Sequence, residues 1–363
     1  MANQLSRTSA LAARHTALGS GLEDWNGMGT AWSYTTDAKD EHDAVRERAG
    51  MFDMSPLKKI MVRGPDAAAT LDHLTTRDIS AIAPGTAAYL CVLTEPGGIA
   101  DDAIVSNNGA DEWMIVHGSG DTMALLEASA KGRDVQITFT DDLHDVSVQG
   151  PKALEILNAH CDIDLATLGY FQHAPARLFG HPCRLSRTGY SGERGYEIFA
   201  DAAVIGDIWD KLVVAGVMPC SFTALDKVRI EAGLLFYGYD MSENNTPWEV
   251  GLGFTVSKNK GDFRGKQAVL AAKGKEAITN VCLEVDRQDM LAGGEKLSHE
   301  GTEIGVVNSP CFSHRMNRSL ALAHVRPSIA VGTVLMVSGD GLNTLATVVQ
   351  SPVYDPRKLR THA

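Results

Sequence analysis

The sequence predicts an α+β chain made of two similar halves followed by an all-β domain. A Gly-Pro motif occurs twice, at Gly64-Pro65 and Gly150-Pro151, each time between a strand-like run and a helix-like run. Between the two motifs, short apolar runs joined by turns are typical of an antiparallel sheet. From residue 281 onward, short apolar runs recur at regular spacing, which indicates a separate β domain.

The composition is that of an ordinary globular protein with an acidic surface. The 363 residues are 44% hydrophobic and 21% charged, enough for two or three domains. A net charge of -12 argues against binding to nucleic acid or anionic lipid. The six cysteines are scattered, with no C-x-x-C or Cys/His cluster, so we expect no metal site. Without a signal pattern or a long apolar run, the chain is expected to be cytoplasmic and not membrane-bound.

The first half of the chain combines one charged helix with a strand meander. Residues 41–49 favour a helix that ends at Gly50, and residues 57–62 favour a strand leading into the first Gly-Pro motif. In this motif the proline is expected in the first turn of the helix, where its missing N–H is tolerated. The meander that follows has predicted strands at 88–93, 99–105 and 112–117, a turn at Asn107-Asn108-Gly109-Ala110, a helix at 121–130 and a strand at 135–140.

Two adjacent carboxylates interrupt the apolar run from Ile99 to Val105. Because neighbouring side chains of a strand point to opposite faces, Asp101 and Asp102 cannot form a carboxylate dyad. Carboxylates are depleted in strands and are costly to bury without a partner. Either both lie in water near a strand end, or one of them faces an interior cavity.

The second half opens with a strand at 146–149 and a helix at 151–159, followed by a glycine-rich segment at 186–195. This segment is no phosphate loop, because neither Gly-Lys-Ser/Thr nor a helix follows it. Glu197 lies in the next strand, among Tyr, Ile and Phe, and either points into a site or pairs with an internal cation. Helices are predicted at 203–215, at 223–237 with Thr223 as N-cap, and at 267–272.

The C-terminal part is predicted to be all β and carries more basic than acidic residues. Its strands are expected at 281–285, 301–309, 320–325, 333–337 and 345–349. From His314 to the end there are six Lys/Arg residues against two acids, which favours a local anion site.

An ordered set of short motifs makes the chain resemble the glycine cleavage T-protein (aminomethyltransferase) family and its relatives, the tetrahydrofolate-dependent demethylases. The resemblance runs from about Arg14 to Arg360. The motifs are Met51-Phe52-Asp53-Met54-Ser55, Gly64-Pro65, Gly97-Gly98-Ile99-Ala100-Asp101-Asp102, Gln149-Gly150-Pro151, Arg187-Thr188-Gly189-Tyr190-Ser191-Gly192-Glu193, Arg229-Ile230-Glu231-Ala232-Gly233, Tyr237-Gly238 and Glu249-Val250-Gly251-Leu252.

The resemblance implies a three-domain cloverleaf around a central folate cavity. Two domains would be related α+β domains of the ferredoxin-like type, and the third a C-terminal all-β, barrel-like domain. The first would be discontinuous, residues 1–50 with 146–275. The second would span residues 51–145 and carry Asp102, and the third residues 276–363.

The resemblance also implies roles for individual residues. Asp102 corresponds to the family's catalytic aspartate, and Glu197 to the acidic residue that hydrogen-bonds the pterin. Arg360 corresponds to an arginine that meets the glutamate tail of the folate. Four further residues are expected to line the cofactor site: Tyr89, Tyr170, Asp226 and Tyr237. His117 and Trp25 are candidate contacts to the one-carbon donor, although a structural role is the default for a lone histidine.

Several positions depart from the glycine-cleavage pattern. Ser55-Pro56-Leu57-Lys58 stands where the family has Ser-His-Met-Gly, Leu225 where arginine precedes the aspartate of the long helix, and His117 where asparagine is usual. The segment around Trp25 is also replaced. These changes argue against docking to a lipoyl-carrying H-protein and favour a small-molecule donor.

The implied function is one-carbon transfer of the aminomethyltransferase type, with tetrahydrofolate accepting a methylene or methyl group from a small donor. One alternative is a tetrahydrofolate-dependent demethylase of an N-, S- or O-methyl compound that works without H-protein. A second alternative is a non-catalytic folate-binding regulator. The carboxylate at position 102 favours an enzyme, because a regulator has no need of it.

Overall fold

The computed structural model describes residues 5–363; residues 1–4 of the predicted first domain lie outside the described part. The helices are α1 Ala12–Ala17, α2 Ala38–Glu47, α3 Ala67–Leu74, α4 Thr122–Ser129, α5 Ala153–Asn158, α6 Ala202–Val214, α7 Phe222–Glu231 and α8 Lys266–Ala272. Within residues 5–363, no helix has the length and apolar character needed to cross a membrane.

The strands form a small hairpin, two open sheets and a barrel. In chain order they are β1 Glu23–Trp25, β2 Met28–Thr30, β3 Gly50–Asp53, β4 Lys58–Arg63, β5 Ala87–Leu93, β6 Ile99–Gly109, β7 Glu112–His117, β8 Gln136–Phe139, β9 Leu143–Gln149, β10 His173–Leu178, β11 His181–Ser186, β12 Gly195–Asp201, β13 Met218–Pro219, β14 Thr279–Val285, β15 Lys296–His299, β16 Thr302–Ser313, β17 Arg318–Val325, β18 Val334–Gly339 and β19 Leu342–Val349.

The sheet topology is that of a mixed α/β protein with a C-terminal barrel, as predicted. One sheet has the order β10-β11-β12-β9-β3-β13, and the other the order β5-β6-β7-β4-β8. The closed barrel has the order β14-β17-β16-β15-β18-β19. Between the named strands of residues 5–363, all pairings are antiparallel except that of β13 with β3.

The two Gly-Pro motifs occupy equivalent places in the two sheets. In each, a strand is followed by a short helix, one turn of 3-10 helix (Ile79–Ala81 or Leu165–Thr167) and another strand. Gly64 and Gly150 have φ of +119° and +131°, and a Cβ at Gly150 would lie 2.6 Å from the Arg48 carbonyl oxygen. Only glycine suits this backbone and this close approach. Pro65 and Pro151 come before the helices rather than in their first turns, since the helices begin at Ala67 and Ala153.

Helices cover the outer face of each open sheet, and the inner faces meet. Leu71 and Leu74 of α3 pack against Val62 and Ile115 on the outer face of the five-stranded sheet. Across the interior, Met61 and Met114 contact Phe199 of the six-stranded sheet. The interior between the sheets can therefore hold a site built from both.

In two places, strand pairing or side-chain packing crosses the predicted domain division. The predicted limit after residue 50 cuts through β3, whose residues Gly50–Asp53 pair with Val146–Gln149 of β9 in the six-stranded sheet. In the later segment, Met241, Val250 and Val269 pack on Cys91 and Leu93 of the five-stranded sheet. The apolar side chains of this segment thus bury against the second sheet rather than the first.

Two local predictions were wrong. The helix expected at 223–237 begins at Phe222, is capped by Ser221 and ends at Glu231. The turn expected at Asn107–Ala110 lies two residues later, because β6 continues to Gly109 through a bulge and Ala110 and Asp111 have positive φ. No strand was predicted where the structure has β1, β2, β3, β10, β11, β13 and β15.

Candidate active site

The β5–β6 hairpin places the two adjacent aspartates on opposite faces of the five-stranded sheet. Asp102 pairs with Cys91 and Asp101 with Val92. Asp101 is fully buried, whereas Asp102 and Ile104 keep part of their surface exposed. The alternation expected of a strand is therefore present, and Asp102 is on the accessible side.

Asp101 is a structural carboxylate held by three donors. Its Oδ2 accepts from His117 Nδ1 at 2.8 Å and from the Thr122 hydroxyl at 2.7 Å. Its Oδ1 accepts from the backbone N–H of Asp102 at 2.9 Å. These bonds tie β6 to β7 and to the first turn of α4, and they fix the backbone at Asp102.

His117, the candidate donor contact, lies on the face opposite Asp102. It pairs with Ala103 in the register and is 2% exposed. Its bond to Asp101 makes its role in this structure structural. The structure does not bring it to the Asp102 side of the sheet.

Asp102 bonds to the phenol of Tyr89. The Tyr89 hydroxyl donates to Asp102 Oδ2 at 2.9 Å. Burial, followed by the charge of Asp101, raises the pKa of Asp102 to about 7, while the bond from Tyr89 opposes the rise. A carboxyl group with this pKa holds and releases a proton near neutral pH.

An aromatic and apolar wall surrounds this pair. Tyr237, predicted to line the cofactor site, packs in the same cluster as Tyr89 and Leu235. Burial, with the charges of Asp101 and nearby acids, raises the pKa of Tyr237 to about 12. Tyr190, which we did not predict, donates its hydroxyl to the Leu235 carbonyl, and burial, with smaller effects from the charges of Asp240 and Asp102, raises its pKa. Its place in the Arg-Thr-Gly-Tyr-Ser-Gly-Glu motif was the available signal.

Glu197 faces the same interior from the other sheet. It lies in β12 opposite Ser147, two residues from Phe199, which contacts Met114 of the five-stranded sheet. On β7, Met114 and Val116 point to the same face of the five-stranded sheet. Val116 is the register partner of Ile104 on β6, and Ile104 points to the same face as Asp102. The inner faces of the two sheets therefore carry Glu197 and Asp102 toward one another.

Glu197 is buried and accepts a hydrogen bond from the Thr188 hydroxyl. Burial raises the pKa of Glu197, against the opposing effects of the Thr188 bond and the charge of Lys59. Lys59 is itself buried and donates to the carbonyls of Ser55 and Leu57 at 2.8 and 2.9 Å. Burial lowers the pKa of Lys59 to about 8.

A second buried carboxylate lies beside this group. Asp145 pairs with Phe199 across β9 and β12, and neither of its oxygens has a hydrogen-bond partner. Burial and the charge of Glu197 raise its pKa well above the usual range. Neither Lys59 nor Asp145 was predicted as part of the site.

Three other predicted residues, Tyr170, Asp226 and Trp25, lie in or beside two further cavities. Tyr170 lines a cavity of about 60 Å³ with Thr188 and residues of the C-terminal segment. Asp226 and Arg229 line another, of about 240 Å³, between α7 and the barrel. Trp25 lies beside this second cavity and packs edge-on against Phe222, with the ring centroids 5.2 Å apart.

Arg360 is anchored rather than free. Its Nε donates to Glu193 at 2.8 Å and a terminal nitrogen donates to the Arg46 carbonyl at 2.9 Å. The Arg360 side chain is still 42% exposed, so one edge of the guanidinium remains open to a ligand.

Comparison with known proteins gives consistent matches along the chain. The GCVT N-terminal domain family matches residues 11–260, and the glycine cleavage T-protein C-terminal barrel domain family matches residues 279–355. The heme-dependent oxidative N-demethylase gamma subunit of Ectopseudomonas mendocina (strain ymp) is 45% identical, over 98% of each chain. The aminomethyltransferase of Thermotoga neapolitana is 36% identical over 96% of this chain and 98% of that one.

The structural comparison leads to the same group. The crystal structure of glycine cleavage system aminomethyltransferase T from Bartonella henselae has a TM-score of 0.90 to this chain. The two share 26% sequence identity, and the match covers 96% of this chain and 98% of the other.

Proposed function

The chain belongs to the glycine cleavage T-protein (aminomethyltransferase) family, and from this premise we propose that it transfers one-carbon units to tetrahydrofolate from a small-molecule donor. The observation that carries the proposal is the Tyr89–Asp102 pair, which packs with Tyr237 and lies on the face of its sheet that meets the sheet carrying Glu197. A flat pterin ring fits between aromatic and apolar side chains, and its adjacent N–H groups suit a carboxylate acceptor.

In this proposal Glu197 binds the pterin, and Asp102 accepts and releases a proton. A nitrogen of tetrahydrofolate attacks the electrophilic carbon, and the proton that this nitrogen loses passes to the carboxylate of Asp102. With its pKa at about 7, Asp102 can accept this proton and then release it to the leaving group or to water. Holding folate and donor together supplies much of the acceleration.

We further propose that the carbon arrives at the oxidation level of formaldehyde, from an N-methylated amine. The support is the Ectopseudomonas relative, whose name describes oxidative N-demethylation. Oxidation of an N-methyl group yields an iminium carbon or, after hydrolysis, formaldehyde. Condensation of formaldehyde with the two nitrogens of tetrahydrofolate gives 5,10-methylene-tetrahydrofolate and one water. That relative is named a subunit, so we propose that the amine is oxidised by a partner protein in the cytoplasm.

Turnover and product identity test the transferase proposal. The purified protein, given tetrahydrofolate and formaldehyde, is expected to form 5,10-methylene-tetrahydrofolate faster than the uncatalysed condensation. We expect Asp102→Asn to lower the rate by about 10²-fold or more, the usual range for losing a general acid–base group. The control is Asp111→Asn, at the exposed tip of the β6–β7 hairpin. A 5-methyl product from a methyl donor would favour the direct demethylase, and no enzymatic acceleration with any donor would favour the regulator.

Ligand binding tests the division of roles. Glu197→Gln is expected to weaken tetrahydrofolate binding about tenfold or more, because a neutral amide replaces a carboxylate acceptor for two N–H groups. Asp102→Asn should change the affinity by less than about threefold, because the Asp102 carboxylate interacts more strongly with the transition state than with bound tetrahydrofolate. Titration calorimetry measures both, with the exposed Glu303→Gln as control. Equal losses in the two variants would contradict the assignment.

A further inference from the structure

Helix α2, helix α7 and the turn after β16 bring two histidines and one aspartate together, away from the aspartate hairpin. His42 and Asp43 lie in the middle of α2, and His314 directly follows the end of β16. One potential ligand atom from each of the three side chains falls within 4.8 Å of the others. No short motif marks this group, because His314 is far from the other two residues along the chain.

His42 is oriented as a metal-binding histidine usually is. It is fully buried, and its Nε2 donates to the Glu231 carboxylate, 2.9 Å from each oxygen. Its other ring nitrogen, Nδ1, is buried and has no hydrogen-bond partner. A carboxylate behind the imidazole fixes its tautomer and strengthens the free nitrogen as a ligand, the arrangement common around bound zinc.

The other two side chains approach this nitrogen at ligand-like distances. Asp43 Oδ1 lies 3.5 Å from His42 Nδ1 and 3.0 Å from His314 Nε2. Neighbouring ligand atoms around a tetrahedral zinc lie about 3.3–3.5 Å apart, given zinc–ligand bonds of about 2.0–2.2 Å. The observed separations are thus close to those of an occupied site.

The charge and access of the group suit a dication. Three carboxylates, Asp43, Glu47 and Glu231, outnumber the two guanidinium groups, Arg46 and Arg315, that bond them. Asp43 and His314 keep 37% and 18% of their side chains exposed, which leaves a route for an ion to enter.

We propose that His42, Asp43 and His314 bind one divalent transition-metal ion of the zinc class. Two imidazoles and a carboxylate suit zinc or cobalt rather than magnesium or calcium, which prefer all-oxygen sites. Water would complete the coordination. Binding replaces the hydrogen bond between His314 and Asp43, and the His314 nitrogen that binds the ion carries no proton in the bound state. The ion would connect α2 to the barrel and so hold the barrel against the helix.

Cobalt titration of the full chain, stripped of metal with a chelator, tests the proposal. We expect one Co²⁺ per chain, with the visible bands of nitrogen and oxygen ligation. Asp43→Asn and His314→Ala should each weaken binding at least tenfold. His181→Ala is the matched control, because His181 bonds Asp207 in an exposed pair without a third ligand. Its affinity should equal that of the unmodified chain.

Two further readouts keep the outcome decisive if a variant is unstable. Zn²⁺ alone should raise the melting temperature of the unmodified chain and of His181→Ala, but not that of His314→Ala. All six cysteines are free, and cobalt bound to them shows intense near-ultraviolet thiolate bands. Such bands, equal affinity in His314→Ala, or no binding at all would overturn the proposal.

Discussion

At the scale of residues, the two adjacent aspartates have different roles because they lie in different environments. Asp101 receives three hydrogen bonds on the helix-covered face, while Asp102 receives one side-chain bond on the inner face. The charge of Asp101 helps to raise the pKa of Asp102, so the structural member of the pair tunes the reactive one. The pKa of Asp102 can thus reach about 7 without a second catalytic carboxylate on the same face of the sheet.

The pH dependence of the rate should report this tuning. If ionised Asp102 accepts the proton, the rate rises with pH through an apparent pKa of about 7. Tyr89 donates to the carboxylate and so favours its charged form; Tyr89→Phe should move the rising limb to higher pH and lower the rate at pH 7.

A pH–rate profile of kcat measures the shift. Tyr34→Phe is the control, since it removes a phenol bonded to His15 outside the site. A limb that stays in place in Tyr89→Phe, or moves to lower pH, would show that the Tyr89 bond does not stabilise the reactive carboxylate.

The β5–β6 hairpin shows which site residues could be predicted from the sequence. Alternation along a strand predicted that only one aspartate faces the site, and the family resemblance selected Asp102. His117 could not be placed, because its face depends on pairing with Ala103, which no local pattern encodes. Lys59 and Asp145 were missed for the same reason: each is buried by contacts between sheets rather than by its neighbours in the chain.

At the scale of elements, most helices and strands were predictable from apolar spacing, and their ends were not. The apolar pattern continues past Glu231, yet α7 ends there because Gly233 takes φ of +64° and packs against Ser351 and Pro352. The Arg229 guanidinium donates to Asp226 within the helix and also to the Leu234 carbonyl, Asp240 and the Ser309 hydroxyl outside it. Long-range contacts, rather than helix propensity, set that boundary.

The turn between β5 and β6 gives a test at this scale. A Cβ on Gly98 would lie 1.8 Å from the Glu243 carbonyl oxygen, and the next residue, Ile99, donates to the Asn245 carbonyl at 2.9 Å. Gly98→Ala should therefore push the hairpin away from the 243–245 segment and destabilise the protein by about 1–3 kcal/mol, the usual cost of overpacking.

Urea unfolding measures this change, and activity is expected to fall with it because the hairpin carries Asp102. Gly261→Ala is the control, since a Cβ there meets no atom within 4 Å. An unchanged unfolding midpoint in Gly98→Ala would mean that the hairpin is not held against the 243–245 segment as the structure has it.

At the scale of the whole molecule, a buried ionic network joins parts that are distant in the chain. Arg46 of α2 bonds Glu231 of α7 at 2.7 Å and Glu193 of the glycine-rich segment at 3.1 Å. Glu193 also accepts from Tyr354 and Arg360 at 2.7 and 2.8 Å. Removing one partner of such a network leaves a buried charge uncompensated, so the network fixes where the C-terminal segment lies.

That segment borders the cavity that contains Tyr170 and Thr188, and Thr188 bonds Glu197. Arg360 can therefore affect folate in two ways: by contact with its glutamate tail, as the family resemblance implies, or by holding the segment in place through Glu193. The two ways differ in which ligands they affect.

Arg360→Ala should weaken binding of tetrahydrofolate about fivefold while changing the affinity for a tetrahydropterin without the glutamate tail by less than about twofold. The first figure corresponds to about 1 kcal/mol, reasonable for a partly exposed charge pair. Calorimetry with both ligands measures the difference, and Arg318→Ala, in a barrel ion pair with Glu284, is the control. Equal losses for the two ligands would mean that Arg360 acts by holding the C-terminal segment over the cavity, because only a direct contact with the tail depends on the tail being present.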